Sequence, residues 1–186
     1  MKRIVMFFII TLLFDTVYAG GANGNLVLFS GQKMGARIEW SKCNGTRSQQ
    51  FVEVDEEEKI IYWSWRNKHS DWCGWGLRLP EKNLVNYYET HSIQISWKKK
   101  SKYDRNNPPE VKFVSYRDQG SSLLKLGNRY LETNNANSKI EIFKVPLKDF
   151  YGRAKSLKNL KYIQLDAAYD SSFGEIEIVD LRFVEN

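Results

Sequence analysis

Histidine and cysteine are scarce: two of each in 186 residues, His69, His91, Cys43 and Cys73, with no spacing that matches a zinc ligand set. A thiolate or imidazole metal centre is therefore not expected. Long apolar runs are missing too. The longest, Ile4 to Phe14, spans about eleven residues, short of the roughly 20 that a membrane-crossing helix needs. Charge of one sign is thinly in excess, with 28 basic against 22 acidic residues and a net +6. The only dense basic run is Lys98, Lys99, Lys100 and Lys102, which reads as a solvated loop flank. No phosphate-tracking groove is visible, so no nucleic-acid partner is expected. A serine nucleophile elbow, a phosphate-binding glycine loop and a zinc signature are all lacking.

Present instead is an export signal. Lys2 and Arg3 precede the apolar run, and Val17-Tyr18-Ala19 supplies the small residues that signal peptidase reads. The expectation is a cleaved leader over residues 1–19 and one domain over 20–186, secreted or periplasmic. In that oxidising setting Cys43 and Cys73 are expected to form a disulfide. Aromatics reach 14%, with 6 Trp, 10 Tyr and 10 Phe, more than a core of this size requires. Some rings should therefore face a ligand or solvent.

Period-two alternation recurs and helical periodicity hardly appears, which predicts an all-β chain. Strands are expected at Leu26 to Ser30, Gln50 to Val54, Lys59 to Arg66, Gly76 to Leu79, Ser92 to Lys98, Glu110 to Arg117, Lys139 to Val145, Lys161 to Ala167 and Glu175 to Val184. Their spacing suits a two-sheet antiparallel β-sandwich of the jelly-roll type. Alternation places Ile93, Ile95, Trp97, Val111, Phe113, Ile163 and Leu165 inward. It leaves Gln94, Lys112, Val114, Tyr116, Asp118, Tyr162, Gln164 and Asp166 outward. The run IIYWSWR (Ile60 to Arg66) is ambiguous because both faces are partly apolar. With Ile60 and Tyr62 in the core, Trp63 and Trp65 form an outward ladder about 7 Å apart, suited to successive sugar rings. The alternative puts both indoles in the core or under a loop.

Several segments together resemble the secreted carbohydrate-binding modules with a galactose-binding-domain-like jelly roll, of the kind attached to glucanases and xylanases. They are WCGWGLRLP (Trp72 to Pro80), NLVNYYETHSIQISWKKK (Asn83 to Lys100), EVKFVSYRDQG (Glu110 to Gly120), IFKVPLKDF (Ile142 to Phe150) and LKNLKYIQLDAAYDSSFGEIEIVDLRF (Leu157 to Phe183). The likeness runs from about Asn25 to Phe183, while Gly31 to Asp55 matches nothing well.

The resemblance implies a β-glucan- or xylan-like polysaccharide on the concave sheet, with rings stacking on sugar faces and polar groups bonding hydroxyls. Matching positions are Tyr116 and Asp118, with Arg117 on the opposite side unless the strand bulges. Gln94, Gln164 and Asp166 are further polar candidates, and Trp63, Trp65 and Tyr169 are the rings assigned to stacking. The family's structural Ca²⁺ would take Asp180, the one position that carries over. A monomer without catalytic activity is expected. Two alternatives stay open: a jelly-roll glycoside hydrolase or polysaccharide lyase, and an adhesion domain binding protein. Hydrolysis would need two carboxyl groups about 5 to 9.5 Å apart, for which Asp118, Asp166, Glu175 and Glu177 are the available acids.

Overall fold

The computed structural model describes residues 26–30, 33–34, 37–68, 71–104, 106–117, 120–133, 139–150, 157–167 and 172–186. The expected leader, Asp118 and Tyr169 lie outside these residues. Thirteen strands are described: β1 (Leu26–Ser30), β2 (Lys33–Met34), β3 (Arg37–Cys43), β4 (Gln49–Asp55), β5 (Ile60–Arg66), β6 (Cys73–Lys82) and β7 (His91–Tyr103), followed by β8 (Glu110–Ser115), β9 (Leu124–Lys125), β10 (Leu131–Thr133), β11 (Ile140–Pro146), β12 (Leu160–Ala167) and β13 (Phe173–Glu185).

They form two antiparallel sheets. The larger runs β10-β11-β7-β13-β1-β2, and the long β13 also pairs with β5, which carries β4 beyond it. The smaller runs β3-β6-β12-β8-β9. The chain is the expected β-sandwich of the jelly-roll kind. Three strands, β2, β3 and β4, lie inside Gly31 to Asp55, the stretch that the resemblance left unmatched.

Inward faces follow the alternation. Ile93, Ile95 and Trp97 of β7, Val111 and Phe113 of β8, and Ile163 and Leu165 of β12 are fully buried. Strand β13 keeps Ile176 and Ile178 inside, then changes phase at a bulge between Ile178 and Asp180, so that Leu181 and Phe183 also point in.

On β5 the ambiguity resolves against the outward ladder. Ile61, Trp63 and Trp65 are buried, with Trp63 at 0% and Trp65 at 4% exposure, and Tyr62 is the ring that points out. The reason is apolar area: two indoles bury more surface than Ile60 and Tyr62 could. Their N–H groups still find acceptors inside, at Gln50 Oε1 (3.2 Å) and Ser172 Oγ (3.3 Å). Trp63 packs against Trp65 in a tilted pair with centroids 4.4 Å apart and meets Trp75 of the other sheet edge-on at 5.8 Å. Trp65 lies against Gly174, where any Cβ would overlap its ring. Outside, the Tyr62 hydroxyl donates to Glu175 at 2.8 Å, which together with burial raises the phenol's pKa.

Candidate functional site

The outward face of the smaller sheet brings four solvent-reaching rings, Trp40, Trp72, Tyr116 and Tyr162, together with charged and polar side chains. Strand β3 pairs with β6, with a register shift between Ile38 and Trp40 that inserts Glu39 as an extra residue. Ile38 thus faces the core beside Leu77, while Arg37, Trp40 and Lys42 all lie outward, opposite Arg78, Gly76 and Gly74. The two glycines make the floor. A Cβ on Gly76 would overlap the Trp40 indole, and one on Gly74 would overlap the Asp166 carboxylate. Side chains from the flanking strands therefore lie across β6, flat against its backbone.

A second indole joins from the residue before β6. Trp72 stacks on Trp40 with centroids 5.9 Å apart and planes at 18°. Two closures hold that pairing. Cys43 and Cys73, opposite each other in the β3–β6 register, form the expected disulfide. Asn44 and Trp72 bond reciprocally, the Asn44 N–H to the Trp72 carbonyl at 2.8 Å and the Trp72 N–H to Asn44 Oδ1 at 2.6 Å. Tyr162 of β12 meets Trp40 edge-on at 6.1 Å. Tyr116, just past β8, is 39% exposed and bonds through its hydroxyl to the Arg78 guanidinium. Trp40, Trp72 and Tyr162 are partly exposed.

Polar groups are interleaved with these rings. Glu39 accepts from Arg78 at 2.7 Å and from Arg37 at 3.4 Å. Gln164 and Asp166 of β12 lie in cross-strand rows with Lys112 and Glu110 of β8. The Asp166 carboxylate receives the Gln164 amide at 2.8 and 2.9 Å, the Trp72 indole N–H, and the Lys112 ammonium at 3.7 Å. Burial outweighs these donors, and the carboxyl's pKa is raised above its ordinary value.

Of the sequence-assigned residues, Tyr116, Gln164 and Asp166 come together here. Arg117 is exposed in the turn after β8. Gln94 belongs to the opposite face: it lies outward on β7 of the larger sheet and donates to Asp180 at 3.3 Å. Trp63 and Trp65 are core residues and cannot reach either surface. Asp180, the expected calcium ligand, is held bidentately by Arg182 at 2.7 Å to each oxygen. Among the described residues no group of three His, Cys, Asp or Glu is placed to hold a metal.

Trp40, Trp72, Arg78 and Glu39 were missed by sequence reasoning. The signal available was the alternation of Ile38, Trp40 and Lys42, but the bulge breaks its phase and hides which side is wet.

No family model matches the chain, and no curated protein matches it. Solved structures do. The family 11 carbohydrate-binding module of a cellulosomal cellulase of Clostridium thermocellum superposes with a TM-score of 0.58 at 11% identity, covering 89% of this chain and 97% of that one. A family 30 carbohydrate-binding module from a cellulosomal cellulase of the same organism gives 0.59 at 13%, covering 86% and 96%. A β-1,2-glucanase of Parabacteroides distasonis gives 0.59 at 13%, over 85% of this chain but only 24% of that one. The chain has the jelly-roll fold of the family 11 and family 30 carbohydrate-binding modules.

Proposed function

We propose that the chain is an exported, non-catalytic carbohydrate-binding protein, acting as a monomer, and that it grips a β-glucan- or xylan-like chain on the outward face of the smaller sheet. The observation that carries this reading is the platform of Trp40, Trp72, Tyr162 and Tyr116 interleaved with Arg78, Glu39 and Gln164. A pyranose offers an apolar C–H face to an indole and a fringe of hydroxyls to guanidinium, amide and carboxylate, so rings and polar groups must alternate as they do here. The comparison adds support, since a family 11 module of the same fold was solved with a β-1,3-1,4-mixed-linked tetrasaccharide.

The non-catalytic reading is supported by the state of the acids on this face. Asp166 is enclosed by Gln164, Lys112 and Trp72, and Glu39 is shared by two arginines. Of the two only Glu39 can face a substrate, whereas glycoside hydrolysis needs a pair of carboxyls.

Affinity electrophoresis tests the reading. A soluble β-glucan or xylan is expected to retard the protein, and Trp40→Ala with Trp72→Ala is expected to abolish the retardation while leaving thermal unfolding intact. Unchanged retardation in the double variant would remove this face from the function. An absence of binding across a broad glycan array would favour a protein partner instead.

A further inference from the structure

Resting on the glycan-binding reading, we infer that the polymer taken by this face is anionic: a β-linked polysaccharide carrying uronic-acid carboxylates.

The charges on the face are sorted by exposure. Two of its acids are withdrawn, Asp166 at 0% and Glu110 at 6% exposure, while the third, Glu39, keeps its side chain 28% exposed and is shared between Arg37 and Arg78. The two arginines are more open, with side chains 74% and 36% exposed, and Lys112, at 26%, leans on Asp166. Lys42 is exposed, and among the described residues no carboxylate pairs with it. Among the described residues of this face, a chain lying on the rings therefore meets four cations, Arg37, Lys42, Arg78 and Lys112, and one acid that reaches solvent, Glu39. The opposite outward face is mixed, with Glu175 and Glu177 set beside Tyr62 and Lys100.

Lys42 gives the sign a position. Its ammonium lies 5.7 Å from the Trp40 ring and 5.9 Å from the Trp72 ring. The ammonium lies over both rings, so a sugar approaching either indole meets it, and a carboxylate on that sugar would pair with it. An uncharged sugar would leave that ammonium with only water and the ring faces. The stacking sites and the cation are thus spaced for one residue bearing both an apolar face and an acid.

A polyanion of another kind, single-stranded nucleic acid, would also favour rings and cations. Glu39 argues against it, since a sugar hydroxyl can donate to its carboxylate and a phosphodiester oxygen cannot.

The test uses the whole mature chain with glucuronoxylan and with polymannuronate alginate, each beside its own carboxyl-reduced form, and with a single-stranded oligonucleotide, at low and high salt. At least one acidic polymer should bind on the order of tenfold more tightly than its reduced form at low salt, the gap closing as salt rises. Lys42→Gln should narrow that gap several-fold, and a gap left unchanged by the substitution would overturn the role given to Lys42. Equal or tighter binding of the reduced forms would overturn the anionic preference while leaving the glycan site in place. Tighter binding of the oligonucleotide would overturn it as well, and loss of all glycan binding would overturn both the preference and the reading beneath it.

Discussion

Two tryptophan pairs in this molecule carry opposite duties, and the contrast lies in where their strands sit. Trp63 and Trp65, on β5, face the other sheet and interlock with Trp75, sealed from water. Trp40 and Trp72, beside the disulfide of the smaller sheet, lie on its outward surface over two glycines. The first pair holds the sheets together by burying area. The second exposes area that only a bound partner would cover. Ring count alone cannot distinguish the two; what faces each ring does.

Substitution should separate the pairs most sharply through stability. Trp63→Ala empties a fully buried indole site and is expected to cost about 3–5 kcal/mol in urea unfolding. Trp40→Ala should leave the unfolding midpoint nearly unchanged. A Trp63→Ala protein as stable as the parent would contradict the core assignment.

Reduction of Cys43–Cys73 comes next. The bridge spans 30 residues of sequence, and its removal should cost roughly 3–4 kcal/mol in the chain-entropy model. Because the bridge immediately follows Trp72, reduction should also weaken glycan binding at temperatures where the sheet remains folded. Circular dichroism and affinity electrophoresis on the same reduced sample would read both effects. Binding that survives reduction undiminished would mean that the Asn44–Trp72 bonds alone fix the platform.

On the binding side the order of the pairs reverses. Trp40→Ala is expected to lose about 2 kcal/mol of affinity or more, as a central aromatic contact does. Gly76→Ala is a gentler version of the same break. Its methyl group would push the Trp40 indole off the sheet without unpacking the core, so a several-fold loss of affinity with little change in stability is expected. If Gly76→Ala bound glycan as well as the parent, the indole's seat on β6 would not matter to the site.

The sheet faces were legible in the sequence wherever alternation ran unbroken. Lys112, Tyr162, Gln164 and Asp166 could be placed outward because β8 and β12 carry no phase change along those stretches. The pattern failed at two places for different physical reasons. In IIYWSWR both faces are apolar, so periodicity is silent and only the partner sheet decides. In RIEWSKC the bulge at Glu39 shifts the phase, so Arg37, Trp40 and Lys42 share a side that strict alternation would divide. Alternation turns Gln94 outward but cannot say which of two sheets a strand joins. That follows from β7 pairing with β11 and β13, a long-range fact.

The smallest effect is expected from pH, and it probes the floor beneath the exposed pair. Burial raises the Asp166 carboxyl above its ordinary value of 3.8, against the pull of Gln164, Lys112 and Trp72. The folded state therefore holds this proton more tightly than the unfolded chain does. Above the folded pKa the ionised group is a constant penalty. As pH falls through that pKa towards 3.8 the folded state takes up the proton first, and stability is gained relative to a chain without the group. Other carboxylates titrate over the same range, so the comparison must be with Asp166→Asn, which keeps the shape and removes the titration. Measured by urea unfolding at pH 7 and again near pH 4, the parent should gain on the variant as acid is added. If it loses instead, the three donors around Asp166 outweigh its burial, and the carboxylate is a stabilising anchor for Trp72 in its charged form.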